Sequence, residues 1–200
     1  MPARAIGRLR TLFELVRLPN IFTAPADVVM GMSVSGGVFT GQSSTLFLAS
    51  AFAYAGGMAL NDAWDAPIDA RERPERPIPS GRITRAAAFR VAGACFVLCL
   101  VLAAVAGPRS LGVAAVLVAA VIFYDGFAKG SATGPPAMAA CRALNVGLGI
   151  AAGALTITSA ASAALLFAYV LVLTVVSRFE VMAAPIALVR GSPWVCRRER

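Results

Sequence analysis

The chain has 200 residues, of which 58% are apolar and only 14% charged, with a net charge of +8 and a mean hydropathy of +0.77. That is too little polar surface to cover a water-soluble globule, so part of the solvent is lipid. Histidine is absent, which excludes a histidine-based triad, a histidine zinc site and a haem histidine ligand.

In chain order, residues 1–20 carry Arg4, Arg8, Arg10 and Arg17 and read as a cytoplasmic N-terminal segment. Six apolar stretches follow, at 21–40, 45–61, 86–107, 110–128, 136–156 and 160–176. Each approaches the roughly 20 residues that a helix needs to cross the hydrocarbon. Their lack of strict alternation favours helices over barrel strands. The first begins too late for a secretory signal and contains Pro25 and Asp27. The expected fold is therefore all-α, a polytopic membrane helix bundle of about six transmembrane helices over 21–180. Cys95, Cys99 and Cys141 fall inside these stretches as small hydrophobes and imply no disulfide framework. Paired small residues such as Gly149 and Gly153 suit close helix packing.

The second and third stretches are separated by Arg71, Arg73, Arg76, Arg82 and Arg85, and the fourth and fifth by Lys129. The alternate connections hold only Arg109. By the positive-inside rule the N-terminus is cytoplasmic, and the expected location is a bacterial inner membrane. This distribution accounts for the positive charge through the lipid bilayer and leaves no nucleic-acid partner to invoke.

Polar groups at membrane depth are costly and usually face a cavity. Asn61, Asp62, Asp65 and Asp69 stand where the second helix meets the cytoplasmic surface. At about 100° per residue, positions 61, 65, 69 and 62 lie near 0°, 40°, 80° and 100° of one helical face. Carboxylates this close repel unless a cation sits among them, and such oxygen donors suit Mg²⁺, which usually serves a substrate phosphate. Pro67 is expected to end or kink the helix before Asp69. A solvated acidic loop balanced by the following arginines would account for the same pattern. The segment RERPERPIPSGRITR at 71–85 is stiffened by three prolines, and its guanidinium groups match phosphate oxygens. Taken alone, it is also an ordinary cytoplasmic basic loop. Asp125 and Lys129 are four apart on one helical face, suited to a local salt pair, and Arg142 and Asn145 are three apart, suited to a polar contact between helices.

The runs NDAWDAPID and RPERPIPSGRIT, with RLPNIFTAPADVVMG, YDGFAK and CRALN around them, resemble the UbiA superfamily of intramembrane prenyltransferases, nearest its EboC-like branch. The resemblance covers roughly residues 14 to 180. It implies a helical bundle around a central cavity, an isoprenoid diphosphate bound through Mg²⁺, and transfer of the prenyl group to an aromatic or lipid acceptor. Asn61, Asp62, Asp65 and Asp69 would be the metal-binding set, with Asp62, Asp65, Lys129 and Asp125 closest to the chemistry. Arg73, Arg76 and Arg82 are candidate phosphate contacts, Lys129 a further one. Asn20, Asp27, Asp125, Tyr124, Arg142 and Asn145 are candidates for the substrate and acceptor side. The chain departs from the family pattern in two ways. Glu180 is the one carboxylate where a second acidic motif belongs, and the apolar pattern stops after six helices in an atypical basic tail at 181–200. C-terminal truncation is the expected cause, with slow turnover as its result. The alternative function is a non-catalytic isoprenoid- or lipid-binding membrane component of a biosynthesis or export system.

Overall fold

The computed structural model describes residues 2–183. Helix α1, Pro2–Leu15, starts with the proline whose missing N–H costs nothing at a first turn. Arg17 then adopts φ 50°, a left-handed conformation that turns the chain into a short 3₁₀ turn, Leu18–Asn20. Helix α2 is Thr23–Ser35 and stops at Gly36, whose φ of 67° suits glycine. Helix α3, Gly41–Glu72, begins with a capping box in which Thr40 and Ser43 satisfy each other's backbone N–H groups. Thr84 caps α4, Arg85–Ala106, by accepting from the Ala87 N–H at 3.2 Å. Helix α5, Pro108–Phe123, continues through a π-helical turn, Tyr124–Ala128. Helices α6, Gly134–Ile150, and α7, Ile157–Ala183, complete the described bundle.

The six expected apolar stretches each overlap one of α2 to α7, with α3 running on to Glu72 past its expected end at 61. Four of these helices, namely α3, α4, α5 with its π turn, and α7, are long and apolar enough to cross a membrane. The chain is an integral membrane protein. Helices α2 and α6 have 13 and 17 residues, or about 20 and 26 Å at 1.5 Å per residue, short of a full crossing. They pack backbone to backbone. A Cβ on Gly31 would collide with the Val146 carbonyl oxygen, and one on Gly149 with that of Val28. In lipid no hydrophobic force drives helices together, so small residues that let backbones approach supply the packing. The α3–α4 contact follows the same logic through buried Ala49, Ala53, Ala59, Ala88, Ala92 and Ala103.

The connections gather at two ends. At one, Gln42 Nε2 donates to the Val105 carbonyl at 2.8 Å and the Ala154 N–H to the Ser35 carbonyl at 2.9 Å. At the other, the 73–84 connection meets α1 through the Arg82–Glu14 ion pair, and Arg178 Nη1 donates to the Ser131 carbonyl at 2.6 Å.

The expectation that Pro67 ends the helix is corrected: α3 runs on to Glu72 with Pro67 inside it. Proline cannot donate to the carbonyl four residues back. Here that carbonyl, on Ala63, accepts instead from Arg85 Nε at 2.7 Å. Residues 184–200, most of the expected basic tail, and the side chain of Glu180 lie outside the described residues.

Candidate functional site

A cavity of about 850 Å³ opens toward the basic end, between α3, α5 with its π turn, and α6. Helical periodicity builds its α3 wall: Tyr54, Asn61, Asp65, Asp69 and Glu72 recur at three, four or seven residues and face it together. Arg17, Arg73, Arg76 and Lys129 supply positive charge around the same space. Deeper surfaces are apolar, from Ala53, Gly57, Leu117, Val121 and Met138.

Each aspartate here has a partner. Asp69, 5% exposed, accepts from Arg76 Nη1 at 2.6 Å. Asp62, also 5% exposed, turns aside from the cavity and accepts from Arg17 Nη2 at 3.2 Å and Arg76 Nη1 at 3.4 Å. Asp65 pairs with Lys129, and Asp125 Oδ1 accepts from Asn61 Nδ2 at 3.2 Å. Burying carboxylates without such partners would cost several kcal/mol each, roughly, so the basic groups are conditions of the acidic wall. The expected local Asp125–Lys129 pair is therefore replaced by one from Lys129 to α3. The π turn explains this. Its wider coil breaks the four-residue register, and Lys129 leaves helical geometry with ψ 125°.

A second polar cluster ties α2, α3 and α6. Ser50 Oγ donates to Asn145 Oδ1 at 2.8 Å, and Asn145 Nδ2 donates to the Ala24 carbonyl at 2.7 Å and to Asp27 Oδ2 at 3.2 Å. Arg142 Nη2 donates to Asp27 Oδ1 at 2.9 Å. Arg142, Asn145 and Tyr124 line the cavity, while Asp27 stands behind Arg142 and Asn145 as their anchor.

Two expected residues lie elsewhere. Arg82 points away from the cavity to Glu14, to Ser80 Oγ at 3.0 Å and to the Glu75 carbonyl at 2.7 Å, because the proline-stiffened loop turns it toward α1. Its guanidinium holds the Glu14 carboxyl below the ordinary carboxylate range. Asn20 is exposed in a separate groove with Leu9 and Phe13, since the 3₁₀ turn carries it off the α2 face. Sequence reading missed Tyr54 and Trp64, which helical spacing from Asn61 could have found. It also missed Arg17 as a site residue. No local pattern pairs that arginine with Asp62, 45 residues away.

Among the described residues no three Asp, Glu or Cys side chains converge into a metal cage. Asn61, Asp65 and Asp69 nevertheless present hard oxygen donors at successive turns of one wall, beside cations suited to phosphate. Such a set fits magnesium, which keeps few protein ligands and shares the rest with phosphate oxygens and water.

These features define a membrane-embedded helical bundle whose cavity has a mouth of mixed acidic and basic groups and an apolar interior. The chain belongs to the UbiA prenyltransferase family, whose model matches residues 22–182. It is 38% identical over 120 residues to digeranylgeranylglyceryl phosphate synthase of Ignicoccus hospitalis, covering 60% of this chain and 39% of that protein. To the synthase of Methanopyrus kandleri it is 34% identical over 123 residues, 62% of this chain and 45% of that one. The chain thus spans less than half the length of these curated relatives. A solved digeranylgeranylglyceryl phosphate synthase superposes with a TM-score of 0.72 at 26% identity, over 82% of this chain and 58% of that one. A UbiA homologue from Archaeoglobus fulgidus bound to GPP and Mg²⁺ gives 0.71 at 18% identity, over 85% and 64%, a likeness of fold.

Proposed function

We propose that this chain binds an isoprenoid diphosphate with Mg²⁺ and transfers the prenyl group to a hydroxyl-bearing hydrophobic acceptor. The carrying observation is the cavity's division of labour: an oxygen-donor wall on α3, cations around it and an apolar interior. Diphosphate oxygens would take over Arg76 and Lys129 from Asp69 and Asp65, which frees those carboxylates and Asn61 for the cation. Bound there, magnesium supplies positive charge against the departing diphosphate. Arg73, Arg76 and Lys129 add fixed charge at the same place, where it is worth most in a poorly solvated site. The allylic C–O bond breaks with its electron pair leaving on diphosphate, and the acceptor oxygen then bonds to the allylic carbon as its hydroxyl proton passes to the released diphosphate. Leu117, Val121 and Met138 exclude water that would otherwise capture the cation. Asp125, held by Asn61, orients the acceptor. Likeness to digeranylgeranylglyceryl phosphate synthases supports a glycerol phosphate lipid as the acceptor. The basic end of the bundle faces the cytoplasm in this reading.

The test is titration of purified protein with a non-hydrolysable prenyl diphosphate, with and without Mg²⁺. Asp65→Asn and Asp62→Asn are each expected to weaken magnesium-dependent binding at least about tenfold, or 1.4 kcal/mol. Asp65 would lose a metal ligand, and Asp62 the anchor of Arg17 and Arg76. Equal affinity in both variants and parent would sink the assignment. Diphosphate release in the presence of prenyl glycerol phosphate separates transfer from binding alone.

A further inference from the structure

We infer that Arg85 is a positioning residue for the carboxylate wall, standing in for the backbone donor that Pro67 lacks. Pro67 creates a hydrogen-bonding deficit inside α3. A helix interior leaves every carbonyl bonded to the N–H four residues on, and Pro67 removes that partner from Ala63. Ala63 is fully buried, so water does not replace the lost bond. An unpaired buried carbonyl costs a large part of a hydrogen bond's full worth, and a helix commonly relieves it by kinking.

In this molecule the missing bond spans residues 63 to 67, and Pro67 stands between Asp65 and Asp69, whose separation by one turn determines whether both face the cavity. Arg85 comes from the neighbouring helix, at the first position of α4, and its Nε reaches the Ala63 oxygen at 2.7 Å. A charged donor makes a stronger bond than the amide it replaces. The side chain is held from a second direction as well: its guanidinium lies 5.5 Å from the centre of the Phe89 ring. Phe89 in turn meets Trp64 edge to face at 5.9 Å. Trp64 lines the cavity and packs on Gly126, next to Asp125. Arg85 therefore supports the α3 turn at its backbone and the aromatic floor beside it, without touching the cavity itself.

This assigns Arg85 a role distinct from topology and from phosphate binding, the two roles its place in a basic loop suggests. The binding arm of its test rests on the proposed function, and a second arm does not. The experiment is a cycle of Arg85→Met, Pro67→Ala and the double variant in the full chain. Pro67 is exposed, so alanine there restores the backbone N–H at little packing cost. Arg85→Met is expected to weaken magnesium-dependent binding of the prenyl diphosphate analogue at least about fivefold with Pro67 present, and less than about twofold when Pro67→Ala accompanies it. Hydrogen exchange over residues 61–72, measured without ligand, should accelerate in Arg85→Met and return to the parent rate in the double variant. Arg85→Lys, which keeps a donor, should lie closer to the parent than Arg85→Met in both measurements.

If Arg85→Met does not fold while the double variant does, the assignment stands, because restoring one N–H has cured the loss. An equal Arg85→Met effect with and without the Pro67→Ala change would overturn it, as would unchanged exchange in Arg85→Met. Failure of the parent to bind the analogue would refute the functional reading and leave the exchange arm to decide on Arg85.

Discussion

Asn145 spends its whole side chain on other helices, with its oxygen toward Ser50 on α3 and its amide toward Ala24 and Asp27 on α2. Replacing it by leucine strands the Ser50 hydroxyl and Asp27 Oδ2 in a buried place, leaving the Asp27 carboxylate to Arg142 alone. Asn145→Leu is expected to cost about 1–3 kcal/mol, read as a lowered unfolding midpoint in detergent. Glu14 gives a residue-scale pH dependence. Arg82 lowers its folded pKa, so the clip between α1 and the arginine loop is fully formed above the ordinary carboxylate value and is lost as pH falls through the lowered one. Spin labels on α1 and at Ser80 should report a separation that grows as the pH is lowered through that range. Glu14→Gln should show the separated distance at every pH.

Among the elements, the α2–α6 pair depends on glycine for a steric reason. Both Gly31 and Gly149 meet the opposite backbone, which cannot retreat as a side-chain tip could. Gly31→Ala or Gly149→Ala is expected to destabilise by about 1–3 kcal/mol, because an added methyl pushes two backbones apart. The double variant should not be additive, since one displacement relieves both clashes. Thermal unfolding of the three variants against the parent measures this. The π turn is the second functional element. By breaking register after Phe123 it lets Asp125 face Asn61 while Lys129 crosses to Asp65.

At the scale of the whole bundle, the basic groups of the described residues gather at one end and, among those residues, only Arg109 lies near the other, so the positive-inside rule gives a topological prediction. In a thiol-free background, cysteines at positions 80 and 131 should react with an impermeant reagent only after lysis. Cysteines at positions 41 and 155 should react in intact cells. The reverse pattern would invert the bundle, and with it the side of the membrane to which the cavity opens.

The sequence by itself determined roughly where helices α2 to α7 lie. Apolar length, the Thr40–Ser43 and Thr84 caps, and Gly36 and Gly107 act within a few residues of where they stand. It also determined that Asn61, Asp65 and Asp69 share a face, because a helix repeats every three to four residues. Tertiary packing alone decided which charge meets which. Asp62 finds Arg17 across 45 residues, Asp27 finds Arg142 across 115, and Lys129 passes over Asp125 for Asp65. Pro67 was legible as a breaker, but its remedy was not, because the donor arrives from another helix 22 residues away. Local rules see only covalent neighbours, whereas a buried charge or an orphaned carbonyl is satisfied by whatever the folded bundle brings within about 3 Å of it.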